Sequence, residues 1–163
     1  MYKLVDERAD HAPAVERLLD SAFGEARWHK TCQRLRDGNA PARNLSLVAL
    51  AEDAPVGTVR LWPVGAGLKR AVMLGPLAVD AAWRERGIGA ALVEEALRRA
   101  RAAGEEAVLL VGDEPYYRRF GFRRELTSGL WLPGPVDRER FLALELKPGA
   151  LGRARGPVLK LAA

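Results

Sequence analysis

The stretch Leu74-Gly75-Pro76-Leu77-Ala78-Val79-Asp80-Ala81-Ala82-Trp83-Arg84-Glu85-Arg86-Gly87-Ile88-Gly89-Ala90-Ala91-Leu92 decides how the chain is read. An apolar run of strand character passes through a short connection into Arg-x-x-Gly-x-Gly, and a long amphipathic segment follows. Strand, glycine loop and helix in that order bring backbone N–H groups and a helix N-terminus to one exposed point, which suits an anion such as phosphate. Gly87 and Gly89 carry no Cβ, so an anion can approach the main chain closely and the turn can take unusual dihedrals without steric cost. In the helix, Ile88, Leu92, Ala96 and Ala100, with Val93 and Leu97 beside them, recur at helical spacing and form one apolar stripe. Glu94 with Arg98 and Glu95 with Arg99 stand as i,i+4 pairs, and Gly104 follows where a C-terminal cap is expected.

Three phosphate-binding patterns compete for this loop. A P-loop requires Gly-Lys-Ser/Thr at its end, which is absent. A dinucleotide fingerprint requires a third glycine where Leu92 stands, and glycines directly after the strand instead of after seven intervening residues. An ordinary Gly-rich turn into a helix is the plain alternative. Arg84-Glu85-Arg86-Gly87-Ile88-Gly89 resembles the pyrophosphate loop of the GNAT superfamily of acyl-CoA-dependent N-acyltransferases, whose signature is Gln/Arg-x-x-Gly-x-Gly/Ala.

A second segment strengthens that resemblance. Ala107-Val108-Leu109-Leu110-Val111 reads as a short strand, broken by Gly112-Asp113-Glu114-Pro115 ahead of Tyr116-Tyr117-Arg118-Arg119-Phe120-Gly121-Phe122. Members of the superfamily carry a strand here and then a short helix with a tyrosine four residues before Gly-Phe, the place of Tyr117 relative to Gly121. Leu-Gly-Pro-Leu-Ala-Val together with Gly-Asp-x-x-Tyr-Tyr-x-Arg-Phe-Gly-Phe is similar to the YhbS-like branch of the superfamily. The likeness extends over most of the chain, although only the two central motifs are specific.

Composition agrees with a globular domain. The 163 residues suit one domain, 1–163, and 48% hydrophobic with 29% charged residues can bury a real core. Asp6, Glu7, Arg8 and Asp10 near the start argue against a signal peptide, and no apolar run approaches the ~18 residues of a membrane span. Cys32 is the single cysteine, which excludes an internal disulfide and fits a reducing, cytoplasmic setting. The net charge of +5 raises the question of nucleic acid, but the arginines are scattered among acids without a basic block interleaved with aromatics. Nucleic acid and membrane are therefore not expected as partners, whereas a basic surface favours an anionic cofactor. His11 and His29 stand alone, so no metal site is expected.

The fold class read from the element order is α/β, a single-domain GNAT-like fold with a mixed central β-sheet flanked by helices. The expected elements are a strand at Tyr2–Val5, two helices over 11–37 broken near Gly24, and a hairpin of Ser46–Leu50 with Val56–Trp62 across Glu52-Asp53-Ala54-Pro55. A strand at Val72–Val79, the long helix, the Val108 strand and the tyrosine helix come next, then strands near Leu130 and over Phe141–Leu146.

What the resemblance implies is transfer of an acetyl group from acetyl-CoA (coenzyme A) to an amine. An uncharged amine attacks the thioester carbonyl, a tetrahedral oxyanion forms, and coenzyme A leaves as a thiolate. Leu77, Ala78 and Val79 then offer a backbone N–H toward the oxyanion, and Arg84, Glu85, Arg86, Gly87, Ile88, Gly89 and Ala90 hold the pyrophosphate. Tyr117 occupies the family's general-acid position, with packing beside Phe120 and Phe122 as its plain alternative. Some members place a basic glutamate where this chain has Met73, and Asp113 or Glu114 are weak substitutes that would otherwise serve as turn or helix caps. A noncatalytic acyl-CoA-binding or sensing module is the alternative function. Trp28 and Trp62 are candidates for an acceptor pocket or for the core. The expected partner is a small-molecule or peptide amine acceptor, with a homodimer open beside a monomer.

Overall fold

The computed structural model describes residues 1–42 and 44–161. Its eight strands are β1 (Lys3–Asp6), β2 (Leu47–Ala51), β3 (Ala54–Ala66), β4 (Lys69–Val79), β5 (Ala107–Val111), β6 (Leu130–Trp131), β7 (Phe141–Glu145) and β8 (Gly156–Lys160). The helices are α1 (Ala12–Phe23), α2 (Gln33–Arg36), α3 (Ile88–Ala102) and α4 (Glu114–Tyr117). The sheet runs β1-β2-β3-β4-β5-β7, with β8 on β3 and β6 on β8. The β4–β5 pairing is parallel, as the α3 crossover between them requires, and the rest of the main path is antiparallel.

Both faces of the central strands are covered, which explains their unbroken apolar sequence. Along β4 and β5, Val72, Leu74, Val108 and Leu110 join α3 residues Leu92, Val93 and Ala96 in one core. Ala71, Met73, Ala107 and Leu109 face Phe141, Leu130 and Leu35 on the other side. Helix α1 lays Val15 and Leu19 on Val48 and Ala78. No helix of the described residues is long and apolar enough to cross a membrane.

The α/β architecture and the central elements match the expectations, and four details differ. The second helix of 11–37 is a 3-10 turn at Glu25–His29 and the four-residue α2, because Gly24 takes φ +68° and no long apolar stripe follows it. The β2–β3 turn is only Glu52-Asp53, both at positive φ, with Ala51 already opposite Ala54 and Pro55 opposite Leu50. β3 and β4 extend to Ala66 and from Lys69, so their hairpin is longer than the apolar runs suggest. β8 was not expected at all. It pairs Val158 and Leu159 with Ala66 and Gly65, on the part of β3 that β2 leaves free.

On α3, Glu95 takes both arginines, through Arg98 (2.8 and 2.6 Å) and Arg99 (2.9 Å), so Arg98 does not use Glu94. Hydrogen bonds from Arg98 and then Arg99 hold the Glu95 carboxyl down at about 2. Arg99 also reaches Asp6 of β1, tying the end of α3 to the sheet edge.

The start of α3 is seated through Gly57 of β3. A Cβ there would stand 3.0 Å from Ile88 Cγ2 and 3.1 Å from Leu92 Cδ1, closer than ordinary contact. Gly57→Val should therefore push the first turn of α3 off the sheet and cost about 1–3 kcal/mol by overpacking, measured as a lower melting temperature and denaturation midpoint.

Candidate functional site

The site begins where two strands part. β4 and β5 pair only at Val72 opposite Val108 and Met73 opposite Leu109. Beyond that point β4 carries a bulge, since Leu61 faces Leu74 and Val59 faces Leu77, with Gly75 and Pro76 set against the single residue Arg60. The Gly75–Pro76 peptide bond is cis. A cleft of about 920 Å³ opens between the diverging strands, lined on one side by Leu74 to Leu77 and on the other by Val111, Gly112, Tyr116 and Tyr117.

The free edge of β4 can be assigned atom by atom. Asp80 N–H donates to Val56 O of β3 at 2.8 Å. N–H groups alternate between edges along a strand, so Ala78 also points toward β3, while the N–H groups of Leu77 and Val79 point toward the β5 side. No β5 residue pairs with them there. Of the three expected strand residues, Leu77 and Val79 thus offer donors to the cleft edge, and Ala78 is buried in the sheet.

The glycine loop continues from that edge. Asp80 caps a 3-10 turn at Ala81–Trp83 by accepting from Ala82 N–H at 2.9 Å. Arg84 Nε donates to Val79 O at 3.3 Å, Glu85 lies at φ +64°, and Gly87 caps α3 at φ +77°. None of the backbone N–H groups from Glu85 to Ala90 donates to a protein acceptor among the described residues. A Cβ on Gly87 would meet no protein atom within 4 Å, so the space in front of these donors is open. Arg84 and Arg86 belong to the same loop, the Arg86 guanidinium 4.6 Å over the Trp83 ring. Free donors, the positive end of a 15-residue helix and two arginines make an anion cradle.

Tyr117 stands across the cleft in an aromatic group, 5.0 Å from Tyr116 and 5.9 Å from Phe122 between ring centroids. Burial, reinforced by Tyr116 and Asp113 against Arg140, pushes its hydroxyl up to about 12. It therefore keeps its proton throughout the physiological range and can donate. Packing and cleft-lining are both features of this residue, not alternatives.

Other candidates separate. Met73 is 1% exposed between Trp62 and Leu109, so no base occupies its position. Glu114 is held by Arg118 through two 2.8 Å bonds, which lower its carboxyl pKa, while Asp113 lines the cleft. Neither Trp28 nor Trp62 lines it. Trp28 is exposed under Arg27, and Trp62 is core, its Nε1 donating to Gly75 O at 2.6 Å at the bulge. His11 accepts from Arg8 N–H in a turn. Sequence reasoning missed Tyr116, whose Oη would lie 3.4 Å from a Cβ on Gly89, and Arg36, whose guanidinium reaches Gly75. Only their place in the fold reveals them.

Comparisons with known proteins fit this geometry. The model of the Acetyltransferase (GNAT) family matches residues 12–122. The chain is 32% identical over 151 residues to the Escherichia coli (strain K12) protein YhbS, itself described as an uncharacterized N-acetyltransferase, covering 90% of this chain and 89% of the relative. The crystal structure of Escherichia coli YhbS in complex with CoA superposes with a TM-score of 0.83 at 30% identity, over 98% of this chain and 89% of that one. A GNAT family acetyltransferase from Brucella melitensis in complex with acetyl-CoA gives 0.74 at 27% identity, over 99% and 97%. The chain belongs to the GNAT acetyltransferase family.

Tyr117 owes its position to Gly112. A Cβ on Gly112 would overlap Tyr117 Cε2 and lie 2.9 Å from Cδ2. Gly112→Ala should displace the ring, change the near-ultraviolet circular dichroism and lower stability by about 1–3 kcal/mol. In a Tyr117→Leu background the same substitution should cost measurably less, since the overlap is then gone.

Proposed function

We propose that the chain is an N-acetyltransferase that moves an acetyl group from acetyl-CoA to the amine of a small-molecule or peptide acceptor. The observation that carries this reading is a pair of unused donor sets on one run of chain: the Leu77 and Val79 N–H groups on the β4 edge beside the cleft that Tyr117 lines, and those of Glu85–Ala90 in the loop that follows, ahead of α3. The relatives that bind CoA or acetyl-CoA support the choice of cosubstrate.

In this reading the Glu85–Ala90 donors, with Arg84 and Arg86, take the pyrophosphate, and acetyl-CoA supplies an activated thioester. The uncharged amine forms the new C–N bond, the thioester C–S bond breaks, and the amine proton passes to water or base. The Leu77 or Val79 N–H donates to the oxygen as charge builds on it. Tyr117 donates a hydrogen bond to the departing sulfur. Full proton transfer from a phenol near 12 to a thiolate of ordinary pKa near 8.5 is uphill by roughly 5 kcal/mol, so stabilisation of the developing charge is the role assigned to it. Asp113 is the cleft carboxylate left free to receive the amine proton, directly or through water. Met73 favours the second reading, a module that binds acyl-CoA without transfer. A cytoplasmic location and action as one domain accompany the proposal.

Two substitutions test binding and chemistry apart. Gly87→Val places a β-branched residue at φ +77° in front of the donors, so acetyl-CoA affinity should fall at least about tenfold by calorimetry, ~1.4 kcal/mol. Unchanged affinity in the folded variant would overturn the loop assignment. Tyr117→Phe keeps the ring but not the donor, so kcat should fall by roughly 10²-fold with little change in acetyl-CoA affinity or melting temperature. Free-thiol release across an amine panel is the readout, and its absence with every amine favours the binding module.

A further inference from the structure

Arg36 is a cation that forms no ion pair among the described residues, set in the wall of the cleft. It closes α2, and its Nη2 would lie 3.0 Å from a Cβ on Gly75, at the bulge where β4 leaves β5. Its Nε is buried and has no hydrogen-bond partner among the described residues. Among the described residues its side chain makes one bond, a long one, from Nη1 to Gln33 Oε1 at 3.5 Å. Five fixed donors in a planar fork are thus nearly all unused.

The neighbouring arginines are treated differently. Arg60 takes Glu7 through two 2.9 Å bonds and Glu16 at 3.3 Å. Arg27 takes Glu16 at 2.6 Å and Asp20 at 3.0 Å. Those three carboxylates are spent on two guanidiniums, and among the described residues none forms an ion pair with Arg36. Gln33 Nε2 is also engaged, donating to Asp37 at 2.8 Å. Burial lowers the Arg36 pKa, and Arg60 and Arg27 add to that pressure against the partial relief of Cys32 and Asp37. A partly buried guanidinium in such a field costs free energy unless an anion answers it.

Place then decides which anion. Arg36 lines the same cleft as Leu77 and Tyr117, together with Lys30 and Arg140, which also lack carboxylate partners among the described residues. The anion cradle at Glu85–Ala90 lies along the other end of the β4 edge, beyond Val79, so the pyrophosphate does not account for Arg36. We infer that Arg36 receives a carboxylate on the amine acceptor, so that the substrates are amino acids or related aminocarboxylates, not simple amines or polyamines. A planar fork matches a carboxylate through two parallel bonds, which a point cation cannot do. This inference rests on the transferase reading above.

The test compares free amino acids with their matched α-amides and decarboxylated amines, with aminophosphonates as a further arm, by thiol release. Amino acids should exceed both counterparts that lack the carboxylate in kcat/KM by about 10–100-fold, the worth of a charged hydrogen-bonded pair. The amides have the less basic amine and thus more of the neutral nucleophile, so basicity alone would give the opposite order. Arg36→Gln should collapse that ratio toward one through KM, and Arg36→Lys should restore part of it, with acetyl-CoA affinity and melting temperature retained. Equal turnover of acids and amides by the wild type overturns the inference, whether or not the variant folds. Preference for aminophosphonates over amino acids overturns the carboxylate assignment. If acetyl-CoA binds but no amine is acetylated, the transferase reading fails separately. Calorimetry of the panel on CoA-loaded protein then decides: amino acid binding that depends on Arg36 supports the anion site, and its absence overturns it.

Discussion

Two neighbouring parallel strands that stop pairing after two residues leave an unpaired edge inside the protein, and the rest of the site depends on it. β4 and β5 hold register at Val72–Val108 and Met73–Leu109 and then part. Unused backbone donors away from water are costly, so such an edge persists only where something else uses them or where a cleft admits solvent. Here the sheet is secured around the gap. β3 holds β4 along its whole length, including beyond the bulge, through Gly57 to Val79, and β7 holds β5 over all five residues. The opening is therefore a rigid notch between two well-paired halves.

The wall over the notch is held by charge more than by apolar contact. Arg60, the residue opposite the bulge, reaches from β3 to Glu7 after β1 and Glu16 on α1. Arg27 ties the 3-10 turn after Gly24 to Glu16 and Asp20 of the same helix. Burial pulls the Arg60 guanidinium down, but its bonds to Glu7 and Glu16 leave it raised overall. Networks of partly buried arginine and carboxylate fix geometry even where their net stabilisation is small. Thr31 and Arg34 extend the wall to the carbonyls of Pro135 and Pro133, each at 2.5 Å, closing the cleft on the side away from α3.

The sequence was legible where one segment carries its own meaning. The loop, α3 and β5 with its tyrosine helix combine periodicity, glycine positions and motif spacing within about ten residues, and each appears where those signals put it. Features that need two distant segments were not legible. β8 contains Pro157 and follows Arg153 and Arg155, so nothing local marks it as a strand; it exists because β2 leaves half of β3 unpaired. Gly57 looks like any strand glycine, and Gly112 like any strand breaker, until Ile88 and Tyr117 are packed on them. Trp62 reads equally as pocket or core, and its bond to Gly75 O, 13 positions along, makes it core. Arg36 is one arginine among many until Glu7, Glu16 and Asp20 are seen to be taken by Arg60 and Arg27.

The same contrast bears on the chemistry. Burial raises the Tyr117 hydroxyl to about 12, which makes it a poorer acid but a dependable donor, because it keeps its proton throughout the physiological range. A notch that supplied only preorganised donors would need the amine to arrive uncharged or to shed its proton close by. Met73 supplies no base and Glu114 is held by Arg118, which leaves Asp113 at the cleft and water. Proton removal is thus the step for which this chain is least prearranged, whereas charge stabilisation is built into its backbone. The rate should then follow the neutral fraction of the amine, rising with pH toward the amine's own pKa without a fall from Tyr117 below about pH 11. A pH profile of kcat/KM for two acceptors of different basicity checks this, since its rising limb should move with the acceptor and not with the enzyme.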